Sequence, residues 1–244
     1  MKITEIETYL AAGWAFAKIH TDEGITGVGE GGIAWVGRGE TLVAALREAA
    51  RYLQNKDPLS IEHHWQALYL GTFYRGGPVL TSAISALDMA LWDIAGKYYK
   101  TPTYRLLGGP TRDKVRVYTH IGDLPPEPLV ENAMRAVKKG YTAVRWAPFV
   151  QGYHKMRYPD VLKMAVAQVS AVREAVGDSV DLCIDVHTRL NPIEAIAMAK
   201  EVEKYRIFFY EDPTWPENIG AMAEVARHVN IAIATGEHLY TIYQ

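Results

Sequence analysis

The sequence predicts an α/β chain built as an N-terminal α+β domain, residues 1–110, followed by an incomplete (β/α) TIM-type barrel, residues 111–244. Three observations carry this. Three short β-like runs precede three helical periodicities in the first hundred residues, the order of a small α+β domain. Beyond Leu107-Gly-Gly-Pro110, a plausible linker, apolar β runs alternate strictly with helical patterns, as in a parallel sheet. Within that half, three apolar runs each end in a carboxylate, at Asp185, Glu211 and Glu237, at two equal intervals of 26 residues. One βα unit of such a barrel takes roughly 25–30 residues, so equal spacing places all three at the carboxyl ends of successive strands.

In the first domain, residues 5–10 alternate as a half-buried strand does, with residues 15–21 and 25–30 as its partners in an antiparallel meander. Gly29-Glu-Gly-Gly32 lacks the Walker lysine and the full dinucleotide pattern, so it reads as a structural turn. Leu42, Val43, Leu46, Ala49, Ala50 and Leu53 recur at helical spacing. After Asp57-Pro58, Ser60 and Glu62 open a second helix whose buried face holds Ile61, Trp65, Leu68 and Tyr69. A strongly apolar third helix covers residues 80–99, with Asp88, Asp93 and Lys97 forming a solvated or salt-bridged face.

In the second half, residues 115–121 read as the first strand and residues 128–139 as a helix stopped by Gly140. Ala143-Val-Arg-Trp146 is the second strand, followed by a loop rich in Tyr, Lys and Gly. Asp160 opens the next helix, which stops near Gly177. The third to fifth strands end at Asp185, Glu211 and Glu237, separated by helices over 192–204 and 218–228. Asp212, before Pro213, is a candidate helix cap. At this spacing the half accommodates five βα units rather than eight. The expectation is a truncated barrel lacking about three units, or one that a second chain closes.

Composition narrows the functions. The chain is 49% hydrophobic and 22% charged with a formal net charge of −2, and no basic stripe points to nucleic acid. Cys183 is the only cysteine, which excludes an intrachain disulfide and a CxxC metal site and suits a small buried residue. The N-terminus lacks signal-peptide character, and no continuous apolar run approaches the ~18 residues of a membrane span. A cytoplasmic protein without membrane partners is expected.

Three converging carboxylates repel one another unless a cation lies between them, and hard oxygen ligands suit Mg²⁺. Asp185, Glu211 and Glu237 are therefore the expected metal ligands. His187, two residues after the first, is expected to point toward the ion. His238, beside Glu237, either touches substrate or lies behind the ligands.

The segments Met1-Lys-Ile-Thr4, Phe73-Tyr-Arg-Gly-Gly-Pro78, Ala86-Leu-Asp-Met-Ala-Leu-Trp-Asp-Ile-Ala-Gly96, Leu107-Gly-Gly109, Asp185-Val-His187, Tyr210-Glu-Asp-Pro213 and Ala234-Thr-Gly-Glu237 resemble the enolase superfamily in its mandelate racemase/muconate lactonising branch. The resemblance spans the chain. It implies a capping domain ahead of the barrel and three strand-end carboxylates holding Mg²⁺, which in turn holds the substrate carboxylate. A base then removes the adjacent carbon's proton to give a metal-stabilised enediolate. The Lys-x-Lys pair of the racemase and lactonising subgroups falls on Arg145 and Ala147, so the lysine base is absent and a racemase or epimerase loses ground.

Asp185-x-His187 is instead similar to the acid-sugar dehydratases, which are lyases. There the histidine, here His187, protonates the departing 3-hydroxyl and a 2-keto-3-deoxy acid results. Thr235-Gly-Glu-His-Leu-Tyr-Thr241 resembles the D-galactonate type, whose base is a histidine on a late barrel strand. The alternative D-mannonate type uses a Tyr–Arg pair, which Arg145 with Tyr153 or Tyr158 would supply. Trp14 falls in the capping loop that closes over substrate in this family. The implied partner is a small sugar acid, and a homo-oligomer is expected. A non-enzymatic alternative is an inactive fragment or a subunit associating through its barrel edge.

Overall fold

The computed structural model describes residues 1–32 and 37–243. It divides into two compact units, one of residues 1–113 with the tail from Leu239, the other Lys114–His238. Each has its own apolar core.

In the first unit β1 (Ile3–Ala11), β2 (Trp14–Thr21) and β3 (Thr26–Gly31) form an antiparallel sheet in chain order. Ala12 and Gly13 both take positive φ, 49° and 86°, which makes the β1–β2 connection a tight primed-type hairpin turn. Helices α1 (Gly39–Leu53), α2 (Ile61–Leu70), α3 (Gly77–Tyr98) and the short α4 (Thr103–Leu106) follow. Helix α4 was not expected.

The Gly-rich run of β3 is strand rather than turn as far as Gly31, and its glycines serve close packing. A Cβ on Gly27 would lie 2.0 Å from the Ala90 carbonyl oxygen, and one on Gly29 would lie 1.9 Å from that of Ala86. Helix α3 therefore rests directly on the β3 backbone. Asp93 fastens the same contact by accepting the Val28 N–H at 3.0 Å and pairing with Lys97 at 2.7 Å. By length and mean composition alone α3 is apolar enough to cross a membrane, although Asp88, Asp93 and Lys97 interrupt it. Its apolar residues, from Ala83 through Leu87 and Leu91 to Ile94, are instead buried in the first unit's core.

The second unit is a five-stranded parallel sheet in chain order: β4 (Thr119–His120), β5 (Ala143–Trp146), β6 (Asp181–Asp185), β7 (Ile207–Glu211) and β8 (Ile233–Ala234). Helices α5 (Pro126–Lys138), α6 (Tyr158–Val176), α7 (Pro192–Val202) and α8 (Ile219–His228) connect successive strands. Sequential parallel order is that of a partial barrel wall.

The central strands match the sequence pattern, while the outer two are shorter. Before β4, Arg116 takes the place of ladder bonds. It donates from Nε to Thr142 Oγ1 at 2.8 Å and from Nη2 to the Thr142 carbonyl at 2.7 Å. Strand β8 ends at Ala234, just ahead of Gly236, whose φ is 143°. Helix α7 carries a full capping box, Asn191 with Glu194. The cap of α8 is Asn218, not Asp212, because Asp212 lies several residues upstream at the strand end.

Candidate active site

Side chains alternate along a strand, and the apolar cluster under the helices takes Val144, Trp146, Leu182, Ile184 and Tyr210. The opposite face is left to Arg145, Cys183, Asp185, Phe209 and Glu211. Arg145 lies opposite Cys183 across β5–β6, and Asp185 lies opposite Glu211 across β6–β7. The first 26-residue interval thus becomes a direct pairing of two strand-end carboxylates.

The second interval does not. Glu211 faces Ala234, three residues short of Glu237. Equal sequence spacing does not give equal height here, because the register sets Ala234, the last residue of β8, level with Glu211. Among the described residues, Glu237 instead gathers with Asp212 and His238, their ligating atoms all within 4.8 Å of one another. Asp185, Glu211 and Glu237 do not form such a group.

A cation nevertheless lies between the first two carboxylates. Arg145 Nη2 is in direct contact with Asp185 Oδ2, and its Nε is 3.9 Å from Glu211 Oε2. Asp185 is fully buried, and its Oδ1 accepts the His187 N–H at 3.0 Å. His187 Nε2 lies 2.9 Å from both Arg145 Nη2 and Asp185 Oδ2. Burial, then the charge of Arg145, lowers the His187 pKa. Burial raises that of Glu211, against the pull of Arg145.

The loops that present these groups are held in unusual backbone conformations. His187, Thr188 and Asp212 have φ of 52°, 59° and 38°, and such values on non-glycine residues cluster at functional sites. Backbone bonds fix them: Val186 N–H donates to the Glu211 carbonyl at 2.9 Å and Thr188 N–H to that of Asp212 at 2.7 Å.

Tyr153 lies in a 3₁₀ turn and packs on Phe149 with ring centroids 5.0 Å apart, while the Arg189 guanidinium sits 5.3 Å over its ring. No hydrogen bond joins it to Arg145 among the described residues. Tyr158 donates to the Glu194 carbonyl at 2.5 Å, and burial pushes its pKa up to about 12, so it ties α6 to α7. Trp14 opens β2 beside the hairpin turn and is partly exposed. His238 Nε2 is 3.6 Å from Glu237 Oε1.

Sequence reasoning missed three residues. Asp123 accepts the Ala147 N–H at 2.9 Å and meets His120 at 3.2 Å, bracing the end of β5. Arg189 lies over both Phe149 and Tyr153. Asp212 is 2% exposed, with an Oδ2 that has no hydrogen-bond partner among the described residues. Its place directly after a strand-end glutamate was the available signal for Asp212. Nothing local marked the other two.

Residues 3–108 match the N-terminal domain of the mandelate racemase / muconate lactonizing enzyme family, and residues 128–244 match the enolase C-terminal domain-like family. The chain belongs to the enolase superfamily. It is 39% identical to a D-galactonate dehydratase of Ralstonia pickettii over 99% of its own length and 63% of that relative's. Among solved structures, a protein from Mesorhizobium loti assigned as a dehydratase superposes with a TM-score of 0.95 at 33% identity, covering 100% of this chain and 68% of that one. A superfamily member from Agrobacterium radiobacter, assigned as a galactarate dehydratase and solved with Na and L-malate bound, gives a TM-score of 0.89 at 31% identity. There the match covers 99% of this chain and 62% of that one. The chain thus spans about two thirds of the length of these superfamily members.

Proposed function

We propose that the polypeptide is a lyase that dehydrates a sugar acid of the galactonate type to a 2-keto-3-deoxy acid, with Asp185, Glu211 and Glu237 holding Mg²⁺. The observation that carries this is the pairing of Asp185 with Glu211 at the strand ends, with His187 hydrogen-bonded to the first. The D-galactonate dehydratase relatives and the dehydratase-like solved structures support the substrate class.

The residues fit the ion in chemistry. The donor set is all oxygen, as Mg²⁺ requires. Glu211 Oε2 is buried with no hydrogen-bond partner among the described residues, Arg145 Nε being 3.9 Å away, so it has lone pairs to offer an ion. Once bound, Mg²⁺ would polarise the substrate carboxylate and stabilise negative charge developing on the carbon beside it.

The protein's own groups do the rest. Arg145 neutralises Asp185 and would bind an anionic oxygen of the substrate as readily. His187 would protonate the departing hydroxyl, which requires that its ring first take up a proton. The rigid loops after β6 and β7 hold these groups in register without cost at the moment of reaction. Trp14 and His238 are assigned to substrate contact. The mannonate-type Tyr–Arg base is disfavoured, because Tyr153 is packed with Phe149 and Arg189. A soluble, cytoplasmic homo-oligomer acting on a small molecule fits this reading.

The test is turnover by the polypeptide extended to the full length of its relatives. A panel of aldonic acids, D-galactonate and D-mannonate among them, is assayed for 2-keto acid by semicarbazide absorbance. Galactonate is expected to react, and Glu211→Gln to abolish the product. Absence of turnover with every acid, in a protein that binds Mg²⁺, would refute the assignment.

A further inference from the structure

We propose that Asp212, Glu237 and His238 form a second cation site, distinct from the Asp185–Glu211 pair and suited to a borderline divalent metal such as Zn²⁺ or Co²⁺. The three residues offer two carboxylate oxygens and an imidazole nitrogen, all within 4.8 Å of one another. That geometry alone describes many solvated acidic clusters. What separates this one is Asp212.

Asp212 is 2% exposed, and its Oδ2 is buried with no hydrogen-bond partner among the described residues. A carboxylate shut away from water needs a cation or donors to offset its lost hydration. Its neighbours in the cluster provide neither in full. Glu237 is a second anion, and His238 offers a ring nitrogen that ligates when neutral. The cation expected between them is external.

Asp212 is also held rigidly. Its N–H donates to the Ala234 carbonyl at 2.9 Å, its own carbonyl accepts the Thr188 N–H at 2.7 Å, and its φ is fixed at 38°. Glu237 and His238 are more exposed. Binding would draw these two side chains in toward Asp212, to metal–ligand distances of about 2.0–2.2 Å. An imidazole in the set shifts preference from Mg²⁺ toward Zn²⁺, Co²⁺ and their neighbours, and three protein ligands leave positions open to water or substrate.

Arg145 strengthens the separation of the two sites. It already compensates Asp185 and approaches Glu211, whereas Asp212 has no such ion pair among the described residues. If Mg²⁺ also uses Glu237, the two sites would share that carboxylate.

The experiment is Zn²⁺ titration by calorimetry, with Co²⁺ visible absorption as a readout of nitrogen ligation, on the wild-type chain and on His238→Ala, Asp212→Asn and Asp185→Asn. His238→Ala is expected to weaken Zn²⁺ binding at least ten-fold and to change the Co²⁺ spectrum. Asp212→Asn should do likewise, with circular dichroism showing that it folds. Asp185→Asn should leave Zn²⁺ affinity within two-fold while removing Mg²⁺ binding. Unchanged Zn²⁺ affinity in His238→Ala would overturn the proposal, as would loss of Zn²⁺ binding in Asp185→Asn. Failure of Mg²⁺ binding alone would count against the proposed function and leave this site standing.

Discussion

Arg145 Nη2 stands 2.9 Å from His187 Nε2, and because a guanidinium only donates, the imidazole nitrogen must accept. The same nitrogen is 2.9 Å from Asp185 Oδ2, a contact that would need a proton on it. Both cannot hold at once. The lowered pKa of His187 agrees with the first, a neutral ring facing a permanent cation. Burial is the larger cause of that lowering and Arg145 the next, so removing the cation should relieve the shift in part. Arg145→Gln is expected to raise the His187 pKa, so that its protonated form persists to higher pH. Imidazole NMR titration of the two proteins reads this directly, and an unchanged or lower value would show that Arg145 does not set the ring's charge.

Cys183 should be chemically silent in the native protein. It is fully buried on β6, and burial, followed by the charges of Asp181 and Glu211, pushes its thiol up to about 12. Since the thiolate is the reactive form, almost none exists near pH 8. Incubation with a disulfide reagent at that pH should label no thiol in folded protein and one per chain in denaturant. Rapid native labelling would mean that β6 opens readily.

Gly29→Ala is expected to destabilise the first unit severely. The new methyl would sit 1.9 Å from the Ala86 carbonyl oxygen, a backbone atom that cannot rotate away. Overpacking of this kind costs typically 1–3 kcal/mol and more where the helix must lift bodily. Chemical denaturation of the variant against wild type measures it. Gly24→Ala is a control in open space, though its positive φ of 76° adds some strain of its own.

Asp123 should make stability depend on acid pH. Burial raises its pKa, but the bonds from His120 and the Ala147 N–H outweigh that and leave it lowered. A carboxylate with a folded pKa below its unfolded one contributes stability fully above the unfolded value, and that stability is lost as pH falls through the folded value. Asp123→Asn should therefore lower the melting temperature near neutral pH and flatten its decline below about pH 4, the unfolded carboxylate value. Parallel melting-temperature profiles of both proteins would disprove the linkage.

How much was legible beforehand divides along physical lines. Periodicity and strand-end punctuation located β5, β6 and β7 closely, because central parallel strands are continuous apolar runs with ladders on both sides. It overextended β4 and β8, where side-chain bonds from Arg116 and the turn at Gly236 replace the ladder. The register of Asp185 with Glu211 followed from spacing, but that of Glu237 did not, since equal intervals can be divided differently between helix and loop. Gly29 looked like a turn residue because sequence shows a missing side chain without showing what approaches it. Arg145 was placed by resemblance, yet its contact with Asp185 depends on two strands meeting in three dimensions. The burial of Asp212 was marked only by its place directly after a strand-end glutamate.

The cross-links between the loops after β6 and β7 have a kinetic meaning. Thr188 donates to Asp212, Val186 to Glu211, and Asp212 to Ala234, so the three strand ends are stitched by bonds between residues far apart in the chain. Such contacts form late, after the entropy of closing each intervening helix and loop has been overcome. The candidate site then exists only in molecules whose last strands have docked. Slowly exchanging amides at Val186, Thr188 and Asp212 would mark the same cooperative event that creates the site, so its completion and the second unit's folding would be observed as one transition.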